Sequence, residues 1–131
     1  MNTSTNISAS DNTSEKMAQR LDVIVDAMQD IKAKKIIKID LRKLHDRPTD
    51  FFVICEGESV TQVASIADNI QNRLKREIGE YPKSVNSGTV AKWVCMDYFD
   101  TIVHVFYPET RAFYEMEDLW SDGEFVRYED A

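Results

Sequence analysis

The chain has 131 residues and a formal net charge of −7, and 43% of its residues are hydrophobic. A single domain of this length can bury about two-thirds of the surface of its unfolded chain, which is enough for a real core. No apolar run approaches the roughly 20 residues that a membrane-spanning helix needs, and the cysteines and histidines lack the spacing of a zinc site. Composition therefore favours a soluble globular protein and excludes a membrane span.

The chain begins with a predicted disordered tail over residues 1–14, because ten of these residues are Ser, Thr or Asn without any periodicity. The remainder, residues 15–131, is expected to form one domain. The tail has no apolar segment typical of a secretory signal, so we expect a cytoplasmic protein. From Glu15 the apolar residues recur at helical spacing, which predicts a helix with the buried face Met17, Leu21, Ile24, Val25, Met28 and Ile31.

Two strands and a second helix are predicted next. The strands cover Lys35–Leu41 and Asp50–Cys55, and the second is apolar on both faces, which indicates a central position in a sheet. Ser59 and Gln62 have the spacing of a capping box that begins a helix. This helix is expected to end at Gly79 and to bury Val63, Ile66, Ala67, Ile70 and Leu74.

The remaining elements complete a sheet. A short strand is predicted at Lys83–Val85, followed by two strands on either side of a tight turn at Tyr98-Phe99-Asp100, and then a helix over Glu109–Leu119. The order of elements predicts an α/β (α+β) fold, a mixed sheet of about five strands flanked by helices.

The predicted hairpin is the best candidate for a functional site. Trp93, Asp97, Tyr98 and Asp100 lie in its first strand and turn, and carboxylates are almost never fully buried without a partner. Two interpretations of the aromatic residues stay open: they pack in the core, or they serve as interface anchors, where Trp and Tyr are enriched.

The sequence gives little support to an enzymatic function. His104 is expected to be a hydrogen-bonded strand residue, and nothing indicates that Cys95 is an activated thiol. Gly57-Glu58-Ser59 resembles the phosphate-binding start of a nucleotidyltransferase helix, but Glu58 would repel phosphate and no Asp-x-Asp motif follows. We therefore expect no catalytic residues, metal or cofactor.

The charge of the chain is distributed unevenly. Residues 1–95 hold 14 basic and 13 acidic residues, whereas residues 96–131 hold 2 basic and 10 acidic residues. Phosphate binding requires clustered Lys and Arg, so the acidic third argues against sequence-specific binding of nucleic acid. It suits a basic protein partner, although an acidic surface that only aids solubility is an equally simple explanation.

Three ordered blocks of the sequence resemble the Iojap-type family of ribosomal silencing factors. The first runs from Thr49 to Cys55 with Gly57, Ser59 and Gln62 after it, the second is Trp93-Val94-x-x-Asp97-Tyr98 continuing to His104, and the third is Arg111-x-Phe113-Tyr114-x-Met116-Glu117-x-Leu119-Trp120. The resemblance covers about residues 17–122. The chain departs from the family pattern at Phe99 in the turn and at Glu56 and Glu58, where small residues are usual.

The resemblance implies a fold similar to the nucleotidyltransferases and a function in translation. It implies that the hairpin surface binds ribosomal protein fourteen of the large subunit and that the bound factor sterically blocks subunit joining. A nucleotidyltransferase-like enzyme and a dimeric adaptor with an unrelated partner are the alternatives, and the sequence leaves homodimer formation open. The residues expected to bind the partner, including two on the last helix, are Trp93, Met96, Asp97, Tyr98, Phe99, Asp100, Glu109 and Arg111.

Overall fold

The computed structural model of the protein describes residues 9–130, with side chains from residue 14 onward. Helices alternate with strands along this part of the chain, and none of its helices is long and apolar enough to cross a membrane. The elements are α1 (Ala9–Asp30), β1 (Lys34–Asp40), β2 (Phe51–Glu56), α2 (Val60–Ile78), β3 (Ser84–Asn86), β4 (Trp93–Tyr98), β5 (Thr101–Phe106), α3 (Pro108–Tyr114), α4 (Met116–Leu119) and β6 (Glu124–Arg127).

The strands form one mixed sheet in the order β3-β4-β5-β2-β1-β6. β2 and β5 pair in parallel at its centre, and the other neighbouring strands pair antiparallel. Parallel neighbours need a long crossover connection, and here that connection contains α2. Every residue of β2 is buried, which confirms the predicted central position.

The two faces of the sheet differ in how they are covered. Successive strand residues point to opposite faces, so Val94, Met96 and Tyr98 of β4 join the large core beneath α1 and α2. We call this side the helix-covered face. Trp93 packs on the opposite side, the open face, against a smaller cluster that contains Ile37, Ile39, Leu41, Phe52, Ile54, Phe106 and Met116.

The boundaries of α2 are fixed by local hydrogen bonds. The Ser59 hydroxyl accepts a hydrogen bond from the Gln62 backbone N–H at 3.0 Å, and the Gln62 side-chain oxygen accepts one from the Glu58 N–H at 2.6 Å. Gly79 ends the helix in the left-handed region at φ 66°, where glycine carries no steric penalty. The predicted capping box, helix end and buried face are all confirmed.

Three elements differ from the sequence-based expectation. α1 begins at Ala9 and not at Glu15, because the residues between them include no Gly or Pro that would stop a helix; residues 1–8 of the predicted tail lie outside the described residues. The last helix is divided at Glu115, whose φ of 49° ends α3. A sixth strand, β6, pairs with β1, and it is too short to leave a periodic signal in the sequence.

Candidate partner-binding surface

The turn between β4 and β5 presents Phe99 to solvent. Its side chain is 69% exposed and its backbone has φ 61°, a left-handed conformation that costs a residue with a side chain about 1–2 kcal/mol. A bulky apolar residue that is both strained and exposed is a candidate contact residue. The structure therefore agrees with the predicted position of Phe99 at the hairpin tip.

Asp100, the next residue, is held by a charged cluster. Its carboxylate forms an ion pair with Arg20 of α1, which also binds Glu80 with an Nη2–Oε2 distance of 2.8 Å. The Arg20 side chain is only 8% exposed, and the Asp100 carboxylate also accepts a hydrogen bond from the Thr101 hydroxyl. Asp100 is expected from the sequence to bind the partner, and the structure adds a second role, because its partly exposed carboxylate ties the turn to α1 through this cluster.

The expectation that Tyr98 and Met96 contact a partner is wrong. Both are fully buried on the helix-covered face, so neither side chain can contact a partner directly. Burial, together with the negative charge of Glu80, raises the pKa of Tyr98 to about 12. Of the two interpretations that the sequence left open, core packing is the correct one for Tyr98, because even-numbered β4 residues point towards α2.

Trp93 lies on the open face and is half-buried by other rings. It stacks on Phe106 with a centroid distance of 5.1 Å and lies 4.5 Å from the ring of Tyr114. Its indole N–H donates a hydrogen bond to Nδ1 of His104 at 3.0 Å, so that neutral His104 carries its proton on Nε2. Trp93 is thus neither a full core residue nor a free anchor.

The buried environment of His104 excludes the general-base role. Burial lowers the pKa of His104 to about 3, so the imidazole stays neutral and cannot gain a proton near neutral pH. Its ring edge meets Phe52 at a centroid distance of 4.9 Å and an angle of 76°. The predicted hydrogen bond of this strand histidine is present at Nδ1, whereas Nε2 is buried without a partner among the described residues.

The cysteines and the start of α2 offer no sign of chemistry. Cys55 is fully buried and Cys95 half-buried, and burial raises the pKa of both thiols, which disfavours a reactive thiolate. The side chains of Ser59 and Gln62 accept hydrogen bonds from the N–H groups where α2 begins. A phosphate would have to compete with these caps as well as with the charge of Glu58.

The two predicted contact residues on α3 have different environments. Glu109 is exposed, as expected. Arg111 is buried: its Nη2 binds Glu117 at 3.0 Å and its Nη1 donates to the carbonyl oxygen of Lys35 at 2.8 Å. The expectation that Arg111 contacts a partner is therefore wrong, because its hydrogen-bond donors hold α3 against β1.

Asp97 lies on the open face in a half-buried position. Its Oδ1 is buried and has no hydrogen-bond partner among the described residues, a situation that is costly without a donor from elsewhere. Of the residues predicted to bind a partner, those with side chains that are at least partly accessible are Trp93, Asp97, Phe99, Asp100 and Glu109, and of these Asp100 is already paired with Arg20.

The structure adds an aromatic patch, consisting of Val90, Trp93, Phe113 and Tyr114. Phe113 is 78% exposed and its ring lies edge-on to Tyr114 at 5.1 Å. Val90, Trp93 and Tyr114 line a shallow cavity of about 570 Å³. The sequence contained a signal for this patch: Phe113 and Tyr114 are adjacent on a short helix, so they cannot both face the core.

The profile of the family described as "Ribosomal silencing factor during starvation" matches residues 13–131. The chain belongs to this family. It is 35% identical to a ribosomal silencing factor from Halalkalibacterium halodurans over 83% of the chain and 92% of that relative.

Other relatives of the silencing-factor family agree in sequence and fold. A crystal structure of a Chromobacterium violaceum protein superimposes with a TM-score of 0.73 at 31% identity, covering 79% of the chain and 85% of that protein. A Mus musculus protein named "Mitochondrial assembly of ribosomal large subunit protein 1" is 29% identical over 77% of the chain and 45% of its own length. The predicted family and fold class are confirmed.

Proposed function

We propose that the chain is a ribosomal silencing factor that binds the large ribosomal subunit through its ribosomal protein fourteen and sterically blocks joining to the small subunit. It acts in the cytoplasm, without a cofactor and without catalysing a reaction. Family membership supports the silencing role, and the name of the Mus musculus relative refers to the large subunit.

The observation that carries the proposal is the aromatic patch beside an acidic border. Interface hot spots are enriched in Trp and Tyr, with weaker contacts around them. The patch supplies such residues on the open face, and Glu109 is exposed on α3. Glu115 and Asp118 are exposed at the junction of α3 and α4 and on α4, on the other side of α3 from the cavity that Trp93 and Tyr114 line. An apolar centre with an acidic border fits a basic ribosomal protein.

The accessible residues of the predicted site extend this surface along the hairpin. Trp93 belongs to the patch, Asp97 lies further along β4 on the same face, and Phe99 lies at the tip. Glu109 lies on α3 one helical turn before Phe113 and joins the acidic border.

Cosedimentation with separated ribosomal subunits tests the proposal. We expect the wild-type protein to sediment with the large subunit, not the small, and to inhibit subunit joining when added in excess. Tyr114→Ala should weaken binding by about 2 kcal/mol, the typical cost of truncating a hot-spot aromatic. Tyr81→Ala is the matched control, because Tyr81 is also an exposed tyrosine but lies beyond α2. Equal sedimentation with both subunits would contradict the proposal.

A further inference from the structure

A second cavity lies on the other side of α3 from the aromatic patch. It has a volume of about 680 Å³ and lies between β1, α3, α4 and the segment after β6. This size is within the usual range of ligand sites. We call it the acidic groove; five acidic and three basic residues line it, among them Glu56, Arg111, Glu115 and Asp118.

Glu56 is the informative residue of the groove. It is only 8% exposed, and its one close charged neighbour is Arg111, with an Nη1–Oε1 distance of 3.4 Å. Among the described residues, no donor makes a hydrogen bond to this carboxylate. A buried carboxylate ordinarily has donors, so Glu56, held by this ion pair without a hydrogen bond, offers an acceptor at the floor of the groove that can take further hydrogen bonds.

The basic residues of the groove cannot balance its acidic residues. Arg111 forms ion pairs with both Glu117 and Glu56. With Lys35 and Arg127 it makes three basic residues against five acidic ones, so the lining has a formal charge of −2. Glu115 and Asp118 are exposed at the rim and form no ion pair within the described part of the chain. The groove therefore keeps a net negative charge, which lies mainly at its rim.

We infer that the acidic groove receives an Arg or Lys side chain of the protein partner. The cationic group would enter between Glu115 and Asp118 and donate to Glu56, where it supplies the missing hydrogen bonds. This inference rests on the proposed function for the identity of the partner. It assigns a role to Glu56, which departs from the family pattern and which the aromatic patch leaves unexplained.

The position of α3 allows one partner to occupy both sites. Thr110 and Tyr114 of α3 line the cavity at the aromatic patch, whereas Arg111 and Ala112 line the acidic groove. One helix thus separates an apolar contact from a charged one. A basic segment that packs on the patch needs only to cross α3 to reach Glu56.

The first experiment measures the affinity of the protein for isolated large subunits at several salt concentrations. The variant Glu115→Gln/Asp118→Asn removes the rim charges and keeps the side-chain shapes. We expect it to bind roughly three- to tenfold more weakly at low salt, with a smaller difference at high salt, since exposed pairs are weak and screened. Asp68→Asn is the matched control, because Asp68 is an exposed acid on the helix-covered side. Equal affinities of the variant and the control would overturn the inference.

The second experiment uses the free protein and a blocked peptide of alternating Gly and Arg, with a Gly–citrulline peptide of equal length as the uncharged control. We expect the Arg peptide alone to shift the NMR signals of the Ile37 amide and the Arg111 Nε–H, and Glu56→Gln to remove the effect while its other amide signals stay in place. No shift, or equal shifts with both peptides, would overturn the inference. So would spermidine that shifts the same signals as strongly, because the site would then take a free polyamine.

The two experiments separate the two proposals. If the protein binds the Arg peptide but not the large subunit, the proposed function is refuted and the inference that the acidic groove binds a cationic side chain is supported. Protein that binds the large subunit, with the groove variant bound equally well, supports the proposed function and refutes the groove.

Discussion

The helix-covered face and the open face of the sheet use aromatic residues of the same strand in opposite ways. Tyr98 is sealed beneath α1 and α2, whereas Trp93, five positions earlier, is only partly covered by neighbouring rings. Both are large aromatic residues, and from the sequence alone either could pack in the core or serve as an interface anchor. Two features therefore decide which aromatic residue can contact a partner. One is the face of the sheet to which its position in the strand points, and the other is whether helices cover that face.

Substitution of Tyr98 should have the largest effect on stability, because this residue is fully buried. We expect Tyr98→Ala to lower the free energy of unfolding by about 3–5 kcal/mol, the usual cost of truncating a buried aromatic residue, as measured by urea denaturation. Tyr98→Phe is the control: it removes only a buried hydroxyl that has no partner among the described residues, so stability should change by less than about 1 kcal/mol. A Tyr98→Ala protein of wild-type stability that no longer binds ribosomes would make Tyr98 a contact residue after all.

Arg20 tests how the helix-covered side holds the hairpin tip. Arg20→Met should destabilise the protein by about 3 kcal/mol, because it leaves two partly buried carboxylates, Glu80 and Asp100, without their counter-charge. Thermal or urea unfolding measures the loss. Arg42→Met removes the exposed ion pair to Asp40 and should cost at most about 1 kcal/mol. Equal losses in the two variants would show that the Arg20 cluster contributes no more than a surface pair.

His104 makes the open face sensitive to acid. Burial lowers the pKa of His104 from 6.5 to about 3. Below pH 6.5, His104 therefore becomes protonated in the unfolded chain but stays neutral in the folded protein. Stability must therefore fall as the pH drops, by about 2 kcal/mol between pH 6.5 and pH 5 from this group alone. Urea titrations at both pH values should find this loss in wild type and a smaller one in His104→Gln. His45→Gln, changed in an exposed loop, is the control, and identical losses in all three proteins would contradict the prediction.

Phe99 gives the smallest expected change in stability. Phe99→Gly relieves the left-handed backbone of the turn and should raise the free energy of unfolding by about 1 kcal/mol. It should also weaken binding to the large subunit, because the exposed ring is lost. Thermal unfolding and cosedimentation measure the two effects in one preparation. A variant that is more stable and binds with unchanged affinity would remove the hairpin tip from the contact surface.

Local signals in the sequence predicted most of the fold. The capping box at Ser59 and the glycine at Gly79 bound α2 correctly, because both act through hydrogen bonds within a few residues. β2 and the hairpin were recognised from short runs of β-branched and aromatic residues. Glu115 and β6 were missed, since neither a left-handed non-glycine residue nor a four-residue strand has a distinctive local pattern.

The candidate site was harder to predict, because it depends on contacts between distant residues. Alternation along β4 separates Trp93 and Asp97 from Met96 and Tyr98, but it cannot tell which set lies beneath the helices. Arg20 reaches Asp100 across 80 positions of the chain, and no pattern in the sequence connects them. Only the folded structure shows that the Asp100 carboxylate is paired with Arg20, whereas Asp97 has no ion pair among the described residues.

The strand order also has a consequence for when the protein can fold during its own synthesis. β2 gains its parallel neighbour β5 only after α2, β3 and β4 have been made, and β1 gains its outer neighbour β6 close to the end of the chain. Pairings between residues so far apart form slowly, since a long loop must close before they bring any gain. Until β5 emerges, the apolar edge of β2 has no cover, which is a hazard for aggregation. The sheet can therefore close only after the ribosome that synthesises this protein has released nearly the entire chain.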